Sequence, residues 1–184
     1  GAFNQWLYDG LASMGEGSKV LLGAVLGGMM AIDFGGPFNK AAYVFGTAAI
    51  ASGQFDIMAA VMAGGMVPPI GIALATTFAK NRFTESEKQT TVTNYIMGLL
   101  FITEGAIPFA ASDPLRIIPP SIVGSAVAGA VSMAFGCGSR APHGGIFVVG
   151  IMDNAPMFLA AIAIGAVVTM FGIILLKKPI TIEK

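Results

Sequence analysis

Long uncharged apolar stretches constrain this chain more than any other feature of its sequence. Ile57 to Ala79 contains no charged residue and is interrupted by Pro68-Pro69, and Ala155 to Leu176 is uncharged up to Lys177-Lys178. A helix needs about 20 predominantly apolar residues to cross a bilayer. A third stretch, Ile117 to Phe135, is of similar length. The sequence therefore predicts membrane-spanning helices.

The composition supports a membrane protein, and nothing in it favours nucleic-acid binding. Of the 184 residues, 55% are hydrophobic and 11% are charged, with a mean hydropathy of +0.78. Soluble domains carry about 25% charged residues. Because the net charge is zero, there is no excess of basic residues of the kind that binds nucleic acid.

Four further apolar stretches are too short to cross a bilayer alone. Runs of this length favour re-entrant or broken helices, and irregular backbone at membrane depth survives only where it is buried in protein or lines a cavity. Transporters build binding sites from such pieces. We therefore expect an all-α integral membrane protein with re-entrant hairpins. The four stretches are Val20 to Ile32, Ala41 to Ser52, Ile96 to Ile102 and Gly144 to Met152.

Lysine and arginine predict the orientation of the chain. The most polar internal stretch, Lys80 to Thr93, and the pair Lys177-Lys178 both carry cations near apolar segments, and such cations mark the cytoplasmic side. The two long apolar stretches between these basic segments, Ile117 to Phe135 and Ala155 to Leu176, would cross the membrane twice and so return the chain to the same side. No signal peptide is visible. The chain begins at Gly1 without a methionine, so we interpret it as part of a longer polypeptide.

Polar and charged residues inside the apolar sequence fall in three blocks rich in glycine and proline. Ionisable groups within the membrane cost about 2.5–3.5 kcal/mol each on insertion scales, which favours a functional reason for them. Glycine and proline break helices and expose backbone groups, and a sugar needs such a mixture of donors and acceptors. We therefore expect non-helical backbone at Gly35–Pro37, Gly105–Pro108 and Pro142–Gly145, converging on one cavity. The blocks are Asp33 to Lys40, Ile102 to Arg116, and Ala141 to Gly145 with Asp153-Asn154 downstream.

These blocks resemble the motifs of a known family. IDFGGPFNKAAYVF, FITEGAIPFAASDPLRIIP and SRAPHGGIFV are similar, in order and spacing, to motifs of fructose-family enzyme IIC, the membrane domain of a sugar phosphotransferase system. The resemblance runs from about Trp6 to the end. It implies a dimeric, all-helical, multi-pass domain of the bacterial inner membrane, with re-entrant hairpins.

The resemblance also implies a function. Residues 1–184 are expected to be the C-terminal, sugar-binding part of the domain, without the earlier helices that form the dimer contact, and inactive alone. The whole complex would be a phosphohistidine–sugar phosphotransferase. A partner enzyme IIB would phosphorylate fructose, mannose or a mannosyl conjugate from a phosphocysteine, without a cofactor. The alternative from the residues alone is a secondary transporter that releases unmodified sugar.

The resemblance implies a central role for Glu104, which lies between Thr103 and Gly105. The corresponding glutamate in related permeases binds a sugar hydroxyl near the phosphorylated position, and a carboxylate there could act as a general base. The structural alternative is an ion pair with Lys40 or Arg116. We take Glu104 as the catalytic candidate and include Thr103 among the sugar-binding candidates.

The first and third blocks supply the other sugar-binding candidates. Asn39 is favoured because its amide both donates and accepts hydrogen bonds. Asp33 and Lys40 either contribute to the site or pair with each other. His143 either hydrogen-bonds the sugar or caps a hairpin. His143 is the only histidine in the chain, and Cys137 is the only cysteine. The sequence therefore cannot form a metal site from two histidines or from several cysteines.

Two further residues have competing interpretations. Arg116 could attract the phosphoryl group of the partner, but we favour a salt bridge with Asp113. Cys137 lies between two glycines. It is expected to be a small apolar filler, because the resemblance places the phosphocysteine on the partner.

Overall fold

The computed structural model describes residues 19–177 and, before them, residues 2, 5, 6, 9 and 10. Residues 19–177 contain α-helices and short 3-10 segments but no β-strand, which confirms the all-α prediction. The α-helices are α1 (Lys19–Met30), α2 (Pro37–Ala51), α3 (Phe55–Phe78), α4 (Glu85–Gln89), α5 (Thr91–Leu99), α6 (Ile107–Ser112), α7 (Pro114–Ala134) and α8 (Ala155–Leu176). The 3-10 segments are Lys80–Arg82, Thr103–Ala106 and Gly145–Ile151.

Within the described residues, three helices are long and apolar enough to cross a membrane, and they are the three that the sequence predicts. They are α3, α7 and α8. The bounds of α8 are those predicted, whereas α7 begins three residues earlier than predicted, at Pro114. Proline suits the first turn of a helix because its fixed φ is already helical and its missing N–H is not needed there.

The contacts between helix termini define two ends of the molecule. At the first, which we call the Asp56 end, Lys19 pairs with Asp56 at 2.7 Å and the Ser139 N–H donates to the Phe55 carbonyl at 3.0 Å. At the second, the Arg82 end, the Arg82 guanidinium donates to the Ile174 carbonyl at 2.6 Å. Helices α3 and α8 therefore run from the Asp56 end to the Arg82 end.

Helix α7 runs in the opposite direction to α3 and α8. It starts beside Asp113, whose carboxylate pairs with Lys177 after the end of α8 at 3.1 Å. The polar loop after α3 and the end of α8 thus lie at one end of the molecule, which agrees with the two crossings that the sequence predicts. Lys178 lies outside the described residues.

The first helical hairpin, residues 19–51, enters the bundle from the Asp56 end. Helix α1 has 12 residues and α2 has 15, so at 1.5 Å per residue they are about 18 and 22 Å long, short of the ~30 Å hydrocarbon core. The tip, residues 31–36, is not helical. The predicted break at Gly35–Pro37 is confirmed at the two glycines, but its bound at Pro37 is wrong, because Pro37 is the first residue of α2.

The second helical hairpin, residues 91–112, enters from the Arg82 end. Helix α5 starts where the Thr91 hydroxyl lies 2.8 Å from that of Thr76 near the end of α3, and α6 ends just before Asp113. The tip spans residues 100–106 and includes the 3-10 turn Thr103–Ala106. The predicted break extended to Pro108. That bound is wrong, because Pro108 lies in the first turn of α6, where proline is favoured.

A third loop, residues 138–153, returns to the Asp56 end at both of its termini. The backbones of Gly138 and Asp153 exchange two hydrogen bonds of 3.2 and 2.9 Å, and Arg140 pairs with Asp153 at 2.9 Å. The predicted break at Pro142–Gly145 is confirmed for residues 142–144, which are not helical, whereas Gly145 is the first residue of a 3-10 segment. The tip of this loop, at His143, reaches the same region as the tips of the two hairpins.

Candidate functional site

The tips of the two hairpins meet beside the middle of α3 and help to enclose a cavity of about 180 Å³. Gly65, near the middle of α3, lies against both tips: a Cβ at this position would be 2.8 Å from the Phe101 ring and 2.9 Å from the Met30 side chain. The cavity is therefore about halfway along a spanning helix. Its lining residues are Met30, Gly35, Asn39, Lys40, Tyr43, Phe101, Ile102, Thr103, Glu104 and His143.

Most of the candidate residues, and all three blocks, contribute to this one cavity. Asn39 and Lys40 come from the first hairpin, Thr103 and Glu104 from the second, and His143 from the third loop. The predicted convergence of the three breaks on one cavity is thus confirmed as geometry. The remaining candidates, Asp33 and Arg116, do not line the cavity.

Glu104 is in direct contact with the tip of the opposite hairpin. Gly35 has a φ of +105°, a backbone conformation that residues other than glycine rarely adopt. A Cβ on Gly35 would lie 2.8 Å from Oε1 of Glu104. The Glu104 carboxylate therefore occupies space that any side chain at position 35 would fill. No ion pair joins Glu104 to Lys40 or Arg116 in the described part of the chain, so the structural alternative for Glu104 is not observed.

Asn39 and Thr103 are buried and already hold backbone partners. The Asn39 amide donates to the carbonyl of Met30 at 3.0 Å, which ties the start of α2 to the end of α1. The Thr103 hydroxyl donates to the carbonyl of Gly65 at 3.0 Å. The hydroxyl of Thr103 thus has its hydrogen engaged, and only its oxygen lone pairs are left to meet a ligand.

Asp33 organises the first hairpin tip. Its carboxylate accepts hydrogen bonds from the backbone N–H groups of Phe38 at 2.8 Å and Asn39 at 3.1 Å. N–H groups in the first turn of a helix have no acceptor within the helix itself. A negative charge is also favourable at this end of a helix. The expected alternative of an Asp33–Lys40 ion pair is wrong, because the Asp33 oxygens bind the helix terminus instead. Lys40 is exposed and lines the cavity.

Arg116 lies on the surface at the Arg82 end. Its guanidinium is 3.5 Å from the carboxylate of Asp113, and half of its side chain is exposed. The favoured interpretation of a local salt bridge is therefore confirmed. Because Asp113 also pairs with Lys177, this cluster fastens the start of α7 to the end of α8.

Three aromatic rings form one wall of the cavity, and sequence reasoning identified only the imidazole. The His143 ring lies edge-on to Phe101, with centroids 4.9 Å apart, and 6.4 Å from the Tyr43 ring. Phe101 has a φ of +64° just past the end of α5, where glycine is the usual residue. A bulky residue in this conformation is strained. The only sequence feature that could have identified Phe101 as a cavity residue is its position directly before the ITEG motif.

The third loop is seated on the second hairpin through Gly145. A Cβ on this residue, whose φ is +56°, would overlap the carbonyl oxygen of Leu99 and lie 2.9 Å from the backbone nitrogen of Phe101. Glycine is therefore required for this close approach. The contact fixes His143, two residues earlier, relative to the tip that holds Glu104.

Cys137 lies outside the cavity and is buried, with its thiol 3.6 Å from the carbonyl oxygen of Asn154. Burial raises the pKa of the Cys137 thiol above its ordinary value, which opposes formation of the nucleophilic thiolate. This supports the interpretation as a structural residue. Within the described residues, no three His, Cys, Asp or Glu side chains are placed to hold a metal ion.

Comparisons with known proteins find relatives along nearly the whole chain. It is 53% identical over 180 residues to the PTS system fructose-specific EIIABC component of Bacillus subtilis, a match that covers 98% of this chain and 28% of the relative. It is 52% identical over 179 residues to the fructose permease IIC component of Bacillus amyloliquefaciens, covering 97% and 59%. It is 47% identical over 172 residues to the PTS system fructose-specific EIIB'BC component of Escherichia coli K12, covering 92% and 31%.

The chain thus spans less than two thirds of the length of each of these relatives. No family model matches it, and no solved structure matches it. About half of its residues are nevertheless identical to those of fructose-specific permease components, along more than nine-tenths of its length. Along nearly its whole length, the chain is therefore a homologue of the enzyme IIC part of fructose-specific phosphotransferase-system proteins.

Proposed function

We propose that the chain is the C-terminal, sugar-translocating part of a fructose permease, and that the cavity between the hairpin tips is its sugar site. The observation that supports this most is the position of Glu104. It is held at the meeting point of two hairpins that enter from opposite ends of the molecule. Broken helices that meet midway along a spanning helix are the usual construction of a transport site.

The size and lining of the cavity suit a single hexose. Its volume of about 180 Å³ is below the ~300–1,000 Å³ of pockets for drug-sized ligands. Charged and polar groups from Lys40, Asn39 and Glu104 face the same space as the rings of Tyr43 and Phe101. A sugar offers hydroxyl groups to the first set and apolar C–H faces to the second.

Glu104 is proposed as the general base for phosphoryl transfer. Its carboxylate takes the proton of the attacking sugar hydroxyl while the hydroxyl oxygen forms a bond to phosphorus. The bond between phosphorus and the cysteine sulfur of the partner breaks, and the thiolate leaves. Base assistance of this kind contributes about 10²–10⁴-fold. The carboxylate is exposed to the cavity, so it is accessible to a bound hydroxyl.

The partner is proposed to be a phosphorylated EIIB domain. This is supported by the names of the Bacillus subtilis and Escherichia coli relatives, EIIABC and EIIB'BC, which include a B component together with the C component. We further propose that both hairpins are re-entrant in the cytoplasmic membrane. Lipid would cover exposed apolar side chains on α8 such as Phe171 and Leu175. Dimerisation would use helices outside this chain.

The test is the chemical form of the transported sugar. The full-length permease is reconstituted in vesicles with phosphorylated EIIB, and labelled fructose is supplied on the opposite side. The proposal predicts that label accumulates as fructose phosphate and only when EIIB is phosphorylated. Accumulation of unmodified fructose, independent of EIIB, would instead establish a secondary transporter.

A further inference from the structure

Two consecutive prolines in α3 leave two consecutive carbonyls without their helical donors. Proline has no N–H, so it cannot donate to the carbonyl four residues earlier. Pro68 and Pro69 lie inside α3 and are buried. The carbonyls that lose their ordinary partners are therefore those of Gly64 and Gly65, which face the rest of the bundle at the middle of the helix.

Side-chain hydroxyls from two other elements bind these carbonyls. The Ser125 hydroxyl of α7 donates to the Gly64 carbonyl at 2.9 Å, and the Thr103 hydroxyl donates to the Gly65 carbonyl at 3.0 Å. Both hydroxyl residues are buried. An unpaired carbonyl in an apolar interior is costly, so each freed carbonyl strongly favours the element that satisfies it.

The two hydrogen bonds have different consequences for the cavity. Ser125 belongs to a spanning helix and does not line the cavity. Thr103 is the first residue of the 3-10 turn that presents Glu104. A hydrogen bond from Thr103 to α3 therefore fixes the second hairpin tip, and with it the carboxylate that contacts Gly35.

We propose that Pro69 is a positioning residue for Glu104. Pro69 keeps the Gly65 carbonyl available to Thr103, and the resulting hydrogen bond holds the Thr103–Ala106 turn against α3. Pro69 does not line the cavity and acts only through Thr103. The consequence for phosphoryl transfer rests on the proposed function, whereas the consequence for the turn does not.

Pro69→Ala in the full-length permease tests the proposal. The substituted alanine supplies an N–H to the Gly65 carbonyl and thereby competes with Thr103. We expect faster amide hydrogen exchange in residues 103–106 and a fall in phosphoryl transfer of about 5- to 100-fold, the range that corresponds to leaving a buried polar group without its partner.

Pro68→Ala is the matched control, because it restores the same kind of donor one residue earlier but competes with Ser125. Exchange in residues 103–106 and phosphoryl transfer should stay near wild type in this variant. Equal effects of the two substitutions on the turn would overturn the proposal, and so would unchanged exchange in Pro69→Ala.

Substitutions at Thr103 provide a second route if Pro69→Ala does not fold. Thr103→Val removes the hydroxyl and should accelerate exchange in the turn, whereas Thr103→Ser should keep it slow. In the Pro69→Ala background, Thr103→Val should cause no further acceleration of exchange in residues 103–106. A further acceleration would mean that the Thr103 hydroxyl holds the turn independently of Pro69, which contradicts the proposal. If wild-type permease neither binds nor phosphorylates fructose, the proposed function fails, while the exchange measurements still decide the role of Pro69.

Discussion

Gly35→Ala should separate the positioning of Glu104 from the stability of the hairpin. Two effects act at this position. The φ of +105° is costly for any residue with a Cβ, at about 1–3 kcal/mol. In addition, the new Cβ would lie 2.8 Å from Oε1 of Glu104, closer than such atoms approach, and 3.3 Å from its Cδ. The carboxylate must therefore move.

The first effect lowers stability, and the second lowers activity. Complete loss of a general base costs about 10²–10⁴-fold, and a displaced carboxylate retains part of that contribution. We expect phosphoryl transfer to fall by at least ~10-fold, because displacements of about 1 Å at a reacting group can cost ~10²-fold. The assay is fructose phosphorylation by phospho-EIIB with the full-length permease, alongside thermal unfolding in detergent.

Gly53→Ala is the control for backbone strain. Gly53 also has a positive φ, +78°, but a Cβ there would meet nothing within 4 Å, and the residue lies in the loop between α2 and α3. This variant should lose stability and keep wild-type transfer. If both variants lost transfer to the same extent, the contact between Gly35 and Glu104 would not explain the effect, and the reasoning would be refuted.

Three further predictions follow from the fold. Cysteines placed at Asn81 and Glu183 should resist an impermeant thiol reagent applied outside intact cells, and labelling of either would overturn the cytoplasmic assignment; Glu183 lies outside the described residues. Cys137→Ala should keep phosphoryl transfer, because the buried thiol with its raised pKa has no catalytic role, and an inactive but folded variant would contradict this. Asp33→Ala should lower stability by about 0.5–2 kcal/mol, since two N–H groups of α2 lose their acceptor; an unchanged unfolding temperature would show that the cap is dispensable.

The spanning helices could be predicted because length and absence of charge suffice to identify them. Ala155–Leu176 was predicted to the residue. The short helices were recognisable only as apolar runs that cannot cross a bilayer. The short helices pair into hairpins that enter from opposite ends of the molecule. This pairing depends on tertiary contacts, such as that between the hydroxyls of Thr76 and Thr91, and a hydropathy pattern does not predict such contacts.

The candidate site was predictable where residue type and local break coincide, as at Glu104 and His143. The sequence did not reveal Tyr43 and Phe101, because aromatic residues in apolar segments look like core residues. Asp33 is a sugar-binding candidate because of its place in a polar block. The structure shows that its carboxylate binds a helix terminus, a favoured position for aspartate that only geometry distinguishes.

The substitution Glu104→Gln tests the central claim most directly, because it keeps the shape of the side chain and removes its charge. The amide can still hydrogen-bond a sugar but is not an effective base. In folded full-length permease, fructose affinity and the rate of transfer from phospho-EIIB are measured side by side. The account predicts that transfer falls by about 10²–10⁴-fold, well beyond the loss of affinity. Wild-type values for both quantities would contradict it and make Glu104 a packing residue at the hairpin tips.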